Sequence, residues 1–290
     1  QGHDKKVTKD VVISTWQSIY KMPRKYFEQF GCVIGDEAHM FKAKSLTGIM
    51  TKLHQCKYRF GLTGTLDGSQ THKLVLEGLF GTAEKVVSTK ELIDKKTLAN
   101  LKIKCIVLKH PTKKERMDYV EEMDYIVSRE SRNKFILDLC KNISGNTLCL
   151  FQLVEKHGKI LHDGMKGGEN VYFVYGGTDT EQREKIRGLV EGHTKSTTIA
   201  SYGTFSTGIN IRNINNIVLA SPSKSKIRVL QSIGRGLRTS STKDSILIFD
   251  IADDISYGER RNFTLNHFFE RINIYNEEQF NYEISKVKIK

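Results

Sequence analysis

The sequence alternates short apolar runs with longer stretches that carry a single apolar stripe. A short apolar run predicts a buried strand, and apolar residues at helical spacing predict a helix. Because strands that alternate with helices form parallel sheets with crossover connections, this pattern predicts an α/β fold. The runs predicted as strands are 11–14, 30–35, 58–62, 103–108, 147–151, 171–175, 197–201, 217–220 and 245–250.

The length of the chain sets the expected number of domains. A chain of 290 residues, of which 38% are hydrophobic, is long enough to bury about two cores. The strand pattern loosens before Thr97 and restarts at Ile103. We therefore predict a first domain at residues 1–98 and a second, doubly wound domain at residues 99–290.

The charge and the cysteines limit the class of partner. The formal net charge of +13 favours a polyanion such as nucleic acid, although many soluble proteins are basic. The five cysteines form no CxxC pair, so we interpret them as reduced residues and expect no zinc site. No apolar stretch has the length of a membrane span. We expect no membrane partner and a cytoplasmic location.

Two adjacent carboxylates follow the strand predicted at 30–35. Ligands of parallel sheets bind beyond the carboxyl ends of the strands, where Asp36 and Glu37 are expected to lie. One carboxylate can hold Mg²⁺ and its retained waters, and the other can orient or deprotonate an attacking water. A solvated acidic turn at the end of a strand is an equally good interpretation of this pair alone.

The most specific motif is Gln231-Ser232-Ile233-Gly234-Arg235-Gly236-Leu237-Arg238. On a helix, Gln231, Arg235 and Arg238 share one face, and two arginines on one face can clamp a transferring phosphoryl group. Gly234 and Gly236 each cost about 1 kcal/mol relative to alanine inside a helix. We expect close backbone approach there, which argues against the alternative of a basic solvated face.

These stretches resemble the motifs of superfamily 2 helicases, and they occur in that family's order over nearly the whole chain. Asp36-Glu37-Ala38-His39 resembles motif II, a DEAH box. The other matching stretches are Ile13–Ser18 (motif Ib), Leu62–Thr65 (III), Leu148–Gln152 (IV), Gly208–Asn210 (V) and Gln231–Arg238 (VI). The resemblance implies two RecA-like domains with parallel sheets and with ATP bound between them.

The resemblance implies roles for the residues around motif II. Asp36 would bind Mg²⁺ and Glu37 would activate the hydrolytic water. His39 would couple this site to motifs III and VI, and Thr63 and Thr65 would relay the nucleotide state to the DNA side. Taken alone, His39 is more often a satisfied polar histidine, and the two threonines are a turn.

The resemblance also implies roles for the remaining motifs. Arg235 and Arg238 would reach the ATP phosphates from the second domain, and Gln231 would help to orient the water or the sugar. Gly208 and Asn210 suit nucleotide contacts, although that stretch alone is also an ordinary turn. The residues expected to touch the nucleic-acid backbone are Thr15, Gln17 and Ser18.

One family motif is missing from these 290 residues. The P-loop, G-x-x-x-x-G-K-[ST], occurs nowhere in the sequence. The family places it before motif II, so we expect it upstream, in a missing N-terminal part of the same protein. The first RecA-like domain is then N-terminally truncated, and we expect the chain alone to hydrolyse ATP poorly or not at all.

The leading hypothesis is an ATP-dependent DNA helicase or translocase that remodels branched DNA in recombination, replication and repair. Its cofactors would be ATP and Mg²⁺, and its partner would be branched or forked duplex or single-stranded DNA. One alternative is a nucleic-acid-binding or strand-annealing module that keeps the helicase fold without turnover. Another is the same motor acting on RNA, because the motifs do not separate the two nucleic acids.

The C-terminal segment is expected to be a helix followed by an edge strand. Apolar residues near Phe268 are expected to pack on the second domain. Residues 282–289 alternate in polarity, as edge strands do. The basic residues expected to face DNA are Arg260, Arg261, His267 and Arg271.

Overall fold

The structure is a computed structural model and describes residues 9–64, 66, 69–111, 117–204, 211–223, 225–237, 245–256 and 260–290, apart from the side chains of 226, 227 and 235. The chain divides into two compact units, Gln1–Lys85 and Val86–Lys290, which we call unit 1 and unit 2. The domain boundary expected between residues 98 and 99 stays a prediction.

Unit 1 has a parallel pair of strands, β1 and β2, which are in register from Cys32 opposite Tyr58 to Gly35 opposite Gly61. A short 3₁₀ helix, Ala38–Met40, follows β1 directly. The strands are β1 (Cys32–Gly35) and β2 (Tyr58–Gly61). The helices are α1 (Trp16–Ile19), α2 (Arg24–Phe27), α3 (Lys44–Lys52) and α4 (Gln70–Phe80).

The core of unit 1 lies around α3. The helical spacing of Leu46, Ile49 and Met50 puts all three side chains on one buried face. They pack in one cluster with Phe27, the buried residue of α2. Removing these apolar side chains from water is the main favourable contribution to the folding of this unit.

Two predictions about unit 1 are wrong. Residues 11–14 form no strand, and Val11 and Ile13 are 77% and 96% exposed. The strand β1 is not buried on both faces, because Ile34 is 63% exposed. The cause is the number of strands: among the described residues, β1 and β2 pair only with each other, so no neighbouring strand satisfies the backbone of 11–14.

Unit 2 contains a parallel sheet of seven strands in the order β5-β6-β4-β7-β8-β3-β9. Every pairing is parallel, and the long strands β3 and β8 are in register from Asn100 opposite Ser245 to Lys109 opposite Asp254. The strands are β3 (Asn100–Lys109), β4 (Asn146–Phe151), β5 (Val171–Val174), β6 (Ser196–Ser201), β7 (Asn216–Leu219), β8 (Ser245–Asp254) and β9 (Tyr282–Lys288).

The helices of unit 2 begin at side-chain caps in several places. Asp118 and Glu121 form a capping box at the start of α6, and Asp179 caps α9. The helices are α5 (Thr89–Asp94), α6 (Tyr119–Ser128), α7 (Glu130–Asn142), α8 (Lys159–Asp163), α9 (Thr180–Gly192), α10 (Lys226–Gly236) and α11 (Phe263–Glu277). A π-helical turn, Val154–Gly158, precedes α8.

The sheet of unit 2 buries both of its faces. Alternate residues of β3 enter two separate apolar clusters, with Ile103 and Cys105 in one and Ile106 and Leu108 in the other. The first cluster includes residues of α9, α10 and α11, and the second includes residues of α7 and α8. The predicted α/β class with parallel sheets is confirmed, and so is the edge strand at the C-terminal end.

The described residues include no helix with the length and apolarity that crossing a membrane requires.

Candidate functional site

The turn after β1 holds the two carboxylates that the sequence singled out. Asp36 Oδ1 accepts a hydrogen bond from the backbone nitrogen of Glu37 at 2.9 Å. Glu37 has φ 50° and ψ 49°, in the left-handed region. A residue other than glycine held there stores about 1–3 kcal/mol of strain. The Glu37 side chain is 55% exposed, so a carboxylate is presented to solvent at the carboxyl end of the strand.

The ends of β1 and β2 are joined by the backbone and by His39. Leu62 N donates to the carbonyl of Gly35, and Ala38 N donates to the carbonyl of Leu62, both at 2.8 Å. The buried His39 ring lies with Nδ1 3.0 Å from Thr63 Oγ1 and 3.2 Å from Glu37 Oε2. One imidazole nitrogen thus contacts both the carboxylate turn after β1 and the hydroxyl turn after β2.

Glycines at the ends of both strands allow two aromatic rings to approach the turn. A Cβ atom at Gly35 would lie 2.9 Å from the Phe41 ring, and one at Gly61 would lie 2.9 Å from the Phe80 ring. Phe41 and Phe80 meet edge to face, with centroids 5.0 Å apart. Any side chain at either glycine would push these rings away, so the two glycines fix the packing under the site.

Thr15, Gln17 and Ser18 lie at the start of α1, and all three are exposed. Thr15 occupies the cap position, but its Oγ1 lies 3.0 Å from Ser18 Oγ and makes no capping bond. Thr15 and Gln17 line a groove of about 670 Å³ that Asp36 also lines. Thr15, Gln17 and Asp36 thus lie along one surface of unit 1.

The helix predicted at motif VI is α10. Gln231 lies on it half-buried, and the backbone of Arg235 belongs to the same helix. Close approach is found at one glycine only: a Cβ at Gly236 would lie 2.1 Å from Ile246 Cδ1, whereas nothing lies within 4 Å at Gly234. The expectation was therefore right for Gly236 and wrong for Gly234.

Some predicted site residues lie outside the described part of the chain, and their roles stay predictions. They are Thr65, Gly208, Asn210, Arg238 and the side chain of Arg235.

Sequence comparison identifies both halves of the chain with helicase-related families. Residues 130–240 match the family described as "Helicase conserved C-terminal domain", and residues 1–68 match "Type III restriction enzyme, res subunit". The ATP-dependent DNA helicase UvsW of Enterobacteria phage T4 is 35% identical over 96% of this chain. The chain belongs to the superfamily 2 helicases. It spans 59% of the length of UvsW.

Solved structures agree with this assignment. The crystal structure of T4 UvsW matches 94% of this chain and 57% of its own, at a TM-score of 0.56 and 34% identity. A fragment of a putative HsdR subunit of a type I restriction enzyme from Vibrio vulnificus matches 94% of this chain and 51% of its own, at a TM-score of 0.71. Its 16% identity supports the shared fold alone.

In unit 2, two buried arginine–aspartate pairs support the segment that precedes α10. Arg132 pairs with Asp253 through Nε at 2.7 Å and through Nη2 at 2.9 Å. Its Nη2 also donates to the carbonyl of Ala220 at 2.7 Å. Arg271 pairs with Asp250 and donates to the carbonyl of Ser223 at 3.0 Å. Both arginines thus anchor backbone between β7 and α10.

The expectation that Arg271 faces DNA is wrong, because Arg271 is 1% exposed. Its charge is buried because Asp250 and the hydroxyl of Tyr275 complete a hydrogen-bonded group around it. The sequence feature that indicates a buried cationic partner is the set of carboxylates within the apolar run 245–254. A buried carboxylate requires a cationic or hydrogen-bonding partner, but nothing in the sequence names the partner.

The first of these pairs extends to a buried histidine. His157 Nδ1 lies 2.9 Å from Ser221 Oγ, and its Nε2 lies 3.5 Å from Arg132 Nη1. Burial and the Arg132 charge lower the pKa of His157 to about 3. Burial raises the pKa of Asp253, but Arg132 and His110 outweigh it and hold that pKa at about 2. His157 is therefore neutral, donates from Nδ1 to Ser221 and accepts from Arg132.

Among the residues that the structure describes, no group of three or more histidine, cysteine, aspartate or glutamate side chains is placed to hold a metal. Asp36 offers one exposed carboxylate at a strand end. That single ligand suits Mg²⁺, which keeps several of its waters and binds proteins through one or two carboxylates together with substrate phosphates.

Proposed function

We propose that the whole protein is an ATP-dependent DNA helicase or translocase that remodels branched DNA in recombination, replication and repair. The observation that carries the proposal is the turn where Asp36, Glu37, His39 and Thr63 meet at the ends of β1 and β2. The similarity to the DNA helicase UvsW over 96% of the chain supports DNA as the substrate.

In this proposal the carboxylates divide the work on ATP. Asp36 would hold Mg²⁺, which would offset the negative charge of the phosphates. Glu37 accepts a proton from the attacking water, which a partly exposed carboxylate at the edge of a sheet can reach. His39 transmits the state of the site to Thr63, 3.0 Å away, and Thr65 continues that path.

The second set of ATP contacts is assigned to unit 2. Arg235 and Arg238 stabilise the charge that develops on the transferring phosphoryl group, as paired arginines do in related chemistry. Gln231 orients the water or the sugar, and Gly208 and Asn210 contact the nucleotide. The helix α10 and the anchored segment before it supply the rigidity that such contacts need.

Nucleic-acid binding is assigned first to Thr15, Gln17 and Ser18. Hydroxyl and amide side chains on an exposed helix start suit the phosphate backbone. The net charge of +13 supports this partner. If phosphate contacts dominate, the binding constant will fall steeply as the salt concentration rises.

We further propose that additional polypeptide of the same protein covers the exposed apolar side chains of unit 1 and supplies the P-loop. Ile34 and Phe60 on β1 and β2 are 63% and 52% exposed, and UvsW is longer than the aligned region. The host cytoplasm, where phage DNA is replicated and recombined, would be the place of action.

The test is the ATPase rate of the whole protein, with and without forked DNA, for the native sequence and for Glu37→Gln. We expect the variant to lose at least about 100-fold in rate, as removal of a general base typically does, and to keep its affinity for DNA. Glu28→Gln, which removes an exposed glutamate of the same unit, is the control. An unchanged rate for Glu37→Gln would exclude Glu37 from catalysis.

The second candidate is a nucleic-acid-binding or annealing module, which the absence of a P-loop from these residues favours. The 290 residues alone would then bind or anneal DNA without ATP hydrolysis. Detection of DNA-stimulated ATPase activity in these residues alone would contradict our expectation that they are inactive. Competition between forked DNA and RNA of the same sequence would decide between a DNA motor and an RNA motor.

A further inference from the structure

Unit 2 contains a cavity of about 320 Å³. Apart from Gln152, its lining residues lie outside the helicase motifs named above. Gln152, which follows β4, and Ser223, which follows β7, both line it. The chain leaves β4 toward β5 on one side of the sheet and leaves β7 toward β8 on the other. Adjacent parallel strands whose connections diverge leave a crevice at their carboxyl ends, and ligands of open α/β sheets bind there.

The polar wall of this cavity carries a cation. Arg228 lines the cavity on the first turns of α10, with Nη1 3.5 Å from Gln152 Oε1. Its guanidinium lies over the Tyr202 ring at 5.4 Å from the centroid. Among the described residues, no carboxylate forms an ion pair with Arg228. The charge is thus positioned and available to an anion.

Aromatic side chains also line the cavity. Tyr119 from α6 and Phe263 from α11 meet edge to face with centroids 6.2 Å apart. His267 also lines the cavity, 5.5 Å from the Tyr119 ring. Tyr119 is 39% exposed and Phe263 is 38% exposed, so both rings present surface on which another planar group can stack.

The aromatic wall is held rigidly by Glu122. Its carboxylate accepts from Phe263 N at 2.9 Å and from Thr264 N at 2.6 Å, which caps α11. It also accepts from the Asn262 side chain at 2.8 Å. Because Glu122 lies on α6, this contact locks the first turns of the two helices together. The nearby Asp118 carboxylate is occupied by the backbone of α6.

We propose that this cavity binds one nucleotide of a single-stranded nucleic acid, with its base on Tyr119 and Phe263 and its phosphate on Arg228. Base stacking on aromatic side chains together with a cationic backbone contact is the chemistry by which proteins hold unpaired strands. A duplex cannot use the site in this way, because its bases are already stacked and paired. The inference rests on the proposed function, since it extends nucleic-acid binding to unit 2.

The test compares Tyr119→Ala, Tyr119→Phe and Arg228→Gln with the native chain. Fluorescence anisotropy would measure the binding of a labelled oligothymidylate and of a blunt duplex across a salt series. We expect Tyr119→Ala to weaken single-strand binding by at least about five-fold, the lower end for loss of one stacked base. Tyr119→Phe should bind as the native chain does, and duplex binding should be unchanged in both.

Arg228→Gln should weaken single-strand binding and reduce the slope of log affinity against log salt by about 0.7, the value for one phosphate contact on a single strand. Arg187→Gln on α9, which also removes one partly exposed arginine, should leave single-strand affinity close to native. Competition by Mg²⁺-ATP distinguishes a site for a free nucleotide from a site for one nucleotide of a single strand. If the variants weaken ATP binding and spare the oligonucleotide, the cavity is a site for free nucleotide and our assignment is wrong.

Two further outcomes would contradict the proposed stacking site. Equal losses on single strand and duplex would mean that the substitutions disturb unit 2 as a whole, and unchanged single-strand affinity in Tyr119→Ala would exclude the stacking site. Both results leave the proposed helicase function standing. That function fails on different measurements: a native protein that binds no DNA, or a Glu37→Gln variant with full ATPase activity.

Discussion

The two units use parallel sheets in different ways. In unit 2, β4, β6 and β7 are buried at every position. In unit 1, β1 and β2 are largely exposed, and Ile34 and Phe60 face solvent. The carboxylate turn therefore follows a largely exposed strand pair, whereas the motif VI helix packs on a sheet with fully buried strands.

The two units also differ in their backbone strain and in their buried charges. Unit 1 holds Glu37 in a left-handed conformation beside exposed strands. Unit 2 buries two arginine–aspartate pairs at 0–2% side-chain exposure and uses them to anchor the backbone before α10. We expect unit 1 to open at lower free energy than unit 2, because local stability follows buried contacts.

The largest effect is expected from Arg271→Met, which leaves the Asp250 carboxylate buried without its cation. Breaking such a pair costs about 3–5 kcal/mol. Urea unfolding followed by circular dichroism would measure the loss in unit 2. The single tryptophan, Trp16, lies in unit 1, and its fluorescence should shift little. Lys102→Gln, which removes an exposed pair with Glu283, should cost less than about 1 kcal/mol.

Lowering the pH should destabilise unit 2 at pH values where its carboxylates are still ionised. The pKa of His157 is about 3 in the folded chain against 6.5 for a free histidine, so the unfolded chain binds more protons between these values. Stability is therefore full above about pH 6.5 and falls, by on the order of 1 kcal/mol per pH unit, as the pH drops. Asp253 adds a loss in the same direction from about pH 4 to 2.

Urea titrations of unit 2 at pH 7.5, 6.0 and 4.5, values chosen to span roughly the His157 window, would check this. In His157→Gln the dependence of stability on pH between the last two values should flatten, because most of the His157 window lies below the second value. A variant with the slope of the native chain would show that another group titrates there.

Two glycines of one helix give a matched pair. A Cβ at Gly236 would overlap Ile246, and nothing lies near one at Gly234. Gly236→Ala should destabilise unit 2 by about 1–3 kcal/mol through overpacking. Gly234→Ala should stabilise it by up to about 1 kcal/mol through helix propensity. Thermal unfolding of both variants measures the difference, and equal shifts would refute the close contact at Gly236.

The smallest effect is expected in unit 1, at Glu37. Glu37→Gly removes the cost of the left-handed conformation, and Glu37→Ala keeps it, although both delete the carboxylate. The glycine variant should therefore be more stable by about 1 kcal/mol. Trp16 fluorescence during urea unfolding would measure this, and equal midpoints for the two variants would show that the turn is unstrained.

Periodicity was sufficient for much of unit 2. The strands at 103–108, 147–151 and 197–201 and the helix through Gln231 follow from patterns within one stretch of chain, and the structure has all of them. Local patterns failed for 11–14, because a strand exists only with a neighbour. They failed for Arg271, because its partner Asp250 lies on a separate element and only the packing of α11 on β8 brings the two together.

The same distinction between local sequence patterns and contacts between distant elements applies to the candidate site. The ordered motifs named Asp36, Glu37, His39 and Thr63, and the structure brings these four together at one turn. The Glu122 cap on α11 and the aromatic wall of Tyr119 and Phe263 were not predicted. Each joins residues that are far apart in sequence, and no single stretch carries a signal for them.

The position of β3 has a consequence for synthesis. This strand pairs with β8 on one side and with β9 on the other, and both partners are translated long after it. Until Tyr282–Lys288 has left the ribosome, one edge of β3 has no partner in the finished sheet. A nascent chain with such an open edge is prone to pair with other chains. Stalled or prematurely terminated translation would therefore yield aggregation-prone products, even though the completed sheet is well buried.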